Sequence, residues 1–197
     1  MSSVVISGDT SGTVTLTVPT AAGTNTATLP AATGTIVVAG ANSAITSGTA
    51  QASTSGTSID FTGIPSWVKR ITVMFNGVST NGASTVQVQL GSGSITTTGY
   101  LSGSSGLTAS ALGTTFITSG LQINNGSSAA YTHTGSMILS LLSANNWVEQ
   151  GSVQLAPNAM AVFSGGVSLG GTLDRIRITT VNGTDTFDAG SINILYE

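Results

Sequence analysis

The chain has 197 residues, with 28 Ser, 32 Thr and 26 Gly, yet only four basic and seven acidic side chains, one His and no Cys. One Lys and three Arg cannot build the positive surface that nucleic-acid binding needs, and without Cys there are no disulfides, thiolate nucleophiles or cysteine-bound metals. No apolar run approaches the ~20 residues of a membrane-spanning helix, and Met1-Ser2-Ser3-Val4-Val5 has neither the basic nor the apolar segment of a signal peptide.

Residues 1–40 form a first unit, a small β arm. Strands are expected at Val4–Ile6, Thr13–Val18, Asn25–Leu29 and Thr35–Val38, with turns at Gly8-Asp9, Ala22-Gly23 and Ala32-Thr33-Gly34. The alternation in Thr13–Val18 puts Val14, Leu16 and Val18 on one face, so they are candidate assembly residues. Forty residues without metal or disulfide bury too little to be stable alone. The arm is therefore expected to be ordered by docking onto sister chains, another protein or the main domain. Residues 41–57 carry no charge or aromatic group. They are read as a linker running into an early strand, the alternative being an extended first strand whose Ile45 and Ala50 pack lightly.

Residues 58–197 have the length of one domain. Helix formers are scarce and period-two alternation recurs: Ile71, Val73 and Phe75; Val86, Val88 and Leu90; two Ile against two Arg in Asp174–Ile178. Strands are expected at 58–61, 70–76, 85–90, 95–100, 114–118, 131–142, 147–155, 160–167, 173–181 and 190–196. Asn-Gly pairs at 76–77, 81–82, 125–126 and 182–183 mark tight turns. The Ser/Thr/Gly-rich stretch Gly91–Gly113 is expected to be mostly loop at a sandwich tip, where recognition often sits. The fold class is all-β: an antiparallel β-sandwich head, jelly-roll-like, with a small N-terminal β arm.

No charged residue occurs between Ile71 and Val148. A compact 19.5 kDa monomer exposes roughly 8,500 Å², and such surfaces normally use charge for solubility and to blunt sheet edges. A disordered linker-like chain is the alternative, but 40% of the residues are apolar. The expectation is a homo-oligomer, with a trimer favoured.

Sites for chemistry are few. A single-chain triad would have to use His133, the only His, and no Gly-x-Ser-x-Gly elbow exists; Gly103-Ser104-Ser105-Gly106 has the wrong spacing. His133 is read as a strand residue at a surface or subunit contact. Asp185 and Asp188 lie in a hairpin tip, where Asp caps turns; a calcium ion held by them and nearby carbonyls stays open. No catalytic residue, metal ligand or cofactor is assigned. Lys69, Arg70, Arg175 and Arg177 are expected to pair with Asp60, Asp174 or a C-terminal carboxylate. Trp67 and Trp147 are packing candidates, in the core or between subunits. Tyr100 and Tyr131 flank uncharged loops. With His133 they are candidate receptor contacts, since sugar sites often offer an aromatic face.

Three strings carry a resemblance. Gly12–Pro19 followed by Ala22–Thr24 and Thr28–Thr35, Ser58–Val73, and Asp188–Glu197 resemble segments of tailed-bacteriophage fibre and virion-appendage proteins. The resemblance implies a β-rich, typically trimeric protein on the exterior of a phage particle, made in the host cytoplasm. The arm would join it to other virion proteins of capsid or tail, and the head would bind a host surface receptor, most plausibly glycan. The alternative is a capsid decoration (cement) protein that bridges shell subunits. A capsule-degrading tailspike enzyme comes third. None of these readings involves nucleic acid or membrane insertion.

Overall fold

The computed structural model describes residues 3–7, 13–17, 45–108 and 111–197, and the chain divides into two compact units, Met1–Ile36 and Val37–Glu197. In the first unit β1 (Ser3–Ser7) and β2 (Thr13–Thr17) form an antiparallel pair, with Val4 opposite Leu16 and Ile6 opposite Val14. The expected strands at 25–29 and 35–38, the turns between them, and Val18 lie outside the described residues.

The second unit is an antiparallel sandwich, as its alternation requires. Its short leading strands are β3 (Thr46–Ser47), β4 (Gln51–Ala52) and β5 (Ser58–Thr62), followed by the long β6 (Arg70–Thr80), then β7 (Val86–Ser92) and β8 (Ser94–Ile95). Next come β9 (Leu101–Thr108), β10 (Leu112–Ile117), β11 (Leu121–Gln122), β12 (Thr132–Ser143) and β13 (Asn146–Ala156). The last three are β14 (Ala159–Ser168), β15 (Arg175–Thr180) and β16 (Phe187–Tyr196). The larger sheet runs β10-β9-β14-β13-β12-β6-β16-β3, with β4 also on β16; the smaller runs β11-β7-β15-β5, with β8 on β7.

Strands β5 to β7 and β12 to β16 turn an apolar phase into one shared core, whereas the large apolar side chains of β9 and β10 face outward. Rows cross the small sheet as Leu121–Val88–Ile178–Ile59 and Leu90–Ile176–Phe61. They meet Ile71, Val73, Met137, Leu139, Trp147, Val153, Phe163, Ile192 and Ile194 of the large one. Burying a side chain of this size contributes roughly 1.5–3 kcal/mol, which is what holds two sheets of mostly small polar residues together. No helix long and apolar enough to cross a membrane is present among the described residues.

Three expectations are corrected. Residues 101–108 are not a tip loop: β9 sits inside the large sheet, paired to β10 and β14, while the expected strand at 95–100 shrinks to β8. Asn76-Gly77 is not a hairpin turn either. Gly77, at φ 62°, makes a bulge within the continuous β6, facing a second irregularity at Gly190 of β16. Ile45 does not pack; it is 65% exposed, and Ala50 is exposed as well.

Candidate functional site

Two of the three candidate receptor contacts face inward. Tyr100, reached by the chain just before β9, is buried, and its hydroxyl accepts from the Leu90 N–H at 2.8 Å and donates towards the Thr96 carbonyl at 2.9 Å. Desolvation outweighs the Leu90 hydrogen bond and pushes its pKa up to about 12. His133 at the start of β12 is fully buried between the Val78 carbonyl, 2.9 Å from Nδ1, and the Asn124 amide nitrogen, 3.2 Å from Nε2. The carbonyl requires Nδ1 to carry the proton, leaving Nε2 to accept from the amide. Burial lowers the pKa and the Val78 bond only partly offsets it, so the ring is a neutral cross-tie. Neither residue meets a ligand from outside. Their role as surface contacts is overturned because both ring groups are consumed by backbone and amide partners in the core.

Two of the packing candidates, Trp67 and Trp147, lie in or against the core, and Val18 is outside the described residues. Trp147 of β13 is in the core, and Trp67 packs on it with its ring centroid 5.9 Å from that of Tyr196. Val14 and Leu16 are on β2. The three Arg pair with acids as expected, while no ion pair of Lys69 occurs among the described residues. Arg177 forks onto Asp60 directly across the strands at 2.7 and 2.8 Å, Arg175 binds Asp174 at 2.8 Å, and Arg70 binds Glu197. These pairs are largely exposed, so solvent screening leaves them little weight in stability. Asp185 accepts from the Ser84 N–H and the Asn182 amide, which makes it a loop clasp, while Asp188 is exposed. No cluster of three His, Cys, Asp or Glu that would suit a metal occurs among the described residues.

Glu149 was missed. It lies in phase with Trp147 and Val153 on the inward face of β13 and is 5% exposed. The missing side chain of Gly165, its cross-strand neighbour, lets the carboxyl reach β9. A methyl at position 165 would stand 2.8 Å from Glu149 Oε1. Ser102 Oγ donates to that oxygen at 3.0 Å while accepting from the Gln122 N–H at 2.8 Å, and Oε2 has no partner. Desolvation dominates the Ser102 bond and pushes the pKa up to about 8. The alternation of β13 already carries the signal: a Glu at the position where Trp and Val point inward.

Tyr131 is where surface chemistry is left. It packs partly on the core and, with Asn125, Ser127, Leu112, Gly113 and Leu155, lines an open trough of about 360 Å³. The Ser127 hydroxyl is buried without a partner. The Asn125 amide lies against Gly106 and Gly113, where a side chain would displace it, and no described residue bonds it or the Tyr131 hydroxyl. No charged residue lines the trough. A planar amide, a phenol and a hydroxyl beside an aromatic edge suit a neutral, polyhydroxylated ligand.

A scan against protein-family models and searches of curated proteins and of solved structures return no match.

Proposed function

We propose that this chain is a non-catalytic, homo-oligomeric virion appendage of a tailed phage whose head binds a neutral glycan on the host surface. The observation that carries the reading is the Tyr131 trough, where the Asn125 amide, the Tyr131 hydroxyl and the Ser127 hydroxyl have no partner among the described residues and no charged residue lines the walls. The short arm would join the particle, and the trimeric state follows from the resemblance of Gly12–Thr35, Ser58–Val73 and Asp188–Glu197 to fibre and appendage segments. The uncharged outer side of β9, β10 and β12 to β14 also favours a second reading, a decoration protein seated on shell subunits.

The test is adsorption. Purified chain added to host cells at saturation should block attachment of the particle, and Tyr131→Ala, which leaves the buried core residues in place, should block it at least tenfold less well. Absence of competition by the unaltered chain would overturn the adhesin reading. Equal competition by the variant would overturn the trough alone.

A further inference from the structure

Seven large apolar side chains stand out on the outward face at one end of the large sheet: Phe116 is 82% exposed, Leu101 78%, Leu112 68%, Met160 51%, Val162 45%, Leu107 44% and Val148 40%. Register makes them one surface. Leu112, Leu107 and Met160 are opposed in a row across β10, β9 and β14, and Leu101 and Val148 flank Gly166 in another. Phe116 lies opposite Gly103 and its ring leans over that glycine, where a methyl would be 2.8 Å from Cε1. Two shallow troughs follow the surface, of about 650 and 460 Å³. Charge is absent: β9, β10, β12 and β14 carry none, and the one acid of β13, Glu149, points inward.

We infer that this face is the contact through which copies of the chain bind one another; the inference rests on the self-association in the proposed function and places it on named residues. Area supports it. At about 150 Å² for each exposed side chain, the low end of an aromatic's area because six of the seven are not aromatic, the seven fractions amount to about 600 Å². That is the top of the ~300–600 Å² range for the largest patch on an ordinary monomer and most of the ~800 Å² per partner of a standard interface. Charge supports the choice of occupant. A partner carrying charge would leave it unpaired here, whereas a flat uncharged face is complementary to itself, about a twofold or around a threefold axis. Ser164, Gln150, Ser152 and Gln154, exposed between and beside the apolar groups, supply the sparse polar rim such interfaces use. The same contact would cover β10, whose uncharged outer edge is otherwise open to unwanted strand pairing.

The experiment uses the full chain. Mass in solution is measured for the unaltered protein, for Phe116→Lys, and for Thr62→Lys on the exposed outer side of the small sheet as a control. Peroxide oxidation of Met160 is followed by peptide mass at high and low protein concentration. Expected are a multiple of 19.5 kDa for the unaltered chain and the control, a monomer for Phe116→Lys, and Met160 oxidation at least fivefold slower in the assembled protein. If Phe116→Lys fails to fold, the concentration dependence of Met160 oxidation decides alone. A monomeric unaltered chain with reactive Met160 overturns both this inference and the self-association behind it. An oligomer with Met160 equally reactive at both concentrations overturns only the choice of face. Protection of Met160 in a 19.5 kDa monomer means that the chain's own first unit covers the face, and overturns the second copy.

Discussion

Among the described residues, Glu149 and His133 are the buried groups whose protonation differs between folded and unfolded chain near neutral pH, and they pull stability in opposite directions. Folded Glu149 keeps its proton up to about pH 8, against an ordinary value of 4.5. Between these values the unfolded chain binds fewer protons, so the stability present below pH 4.5 is lost as pH rises towards 8, at up to about 1.4 kcal/mol per pH unit. His133 is held below 6.5; there the unfolded chain binds more protons, and stability falls as pH drops below that value. The slopes oppose each other just below pH 6.5, and Glu149 acts alone above it. Urea unfolding should therefore show stability declining from pH 6.5 to 8. Glu149→Gln keeps the acceptor for Ser102 and has no proton to lose, so its stability should be level over that window and exceed the unaltered chain's at pH 8. A parallel decline in both proteins would show that the buried carboxyl is not its source.

At the scale of the element, β6 and β16 depend on a matched pair of irregularities. Gly77 and Gly190 both take positive φ, at 62° and 93°, and a side-chain carbon on Gly190 would collide with the Gly77 carbonyl. Backbone on both sides leaves no room to relax. Gly190→Ala should cost about 2 kcal/mol or more, measured by chemical denaturation. Gly126→Ala, with open space around the new carbon, should cost under about 0.5 kcal/mol. Comparable losses would mean that the bulges do not constrain the strands.

Most strand positions were legible at this scale: the bodies of β5 to β7 and of β12 to β16 fall where the alternation puts them. Asn76-Gly77 was misread because the pair has the same local preference in a bulge as in a hairpin turn, and only the partner strands tell the two apart. β9 was missed for a different reason. Leu101–Thr108 buries Ser102, Ser104 and Gly106, so its inward phase is small and polar and carries no hydrophobic period. Tyr100 and His133 were likewise indistinguishable from surface residues, because polar aromatic groups are tolerated inside once partners satisfy them, and the backbone groups of Leu90, Thr96 and Val78 and the Asn124 amide that do so carry no signal in the sequence.

Taken whole, the molecule presents one uncharged side, one aromatic trough and a small N-terminal unit. The two functional readings separate at this scale by stoichiometry. An appendage predicts a low copy number at one location on the particle, and a decoration protein predicts copies in fixed proportion to the shell subunit. Quantifying the chain in purified particles decides between them, and particles that lack it should adsorb poorly in the first case and burst more readily on heating in the second.

The all-β class and the expectation of self-association follow from residue order alone, because alternation and charge scarcity are local properties of the chain. Which charges meet, which aromatic groups end inside, which acid is stranded among apolar side chains, and which side of which sheet is left bare depend on register between segments that can lie more than a hundred residues apart. Pairing across such distances is settled by packing the two sheets against each other, and no short stretch of chain carries that information.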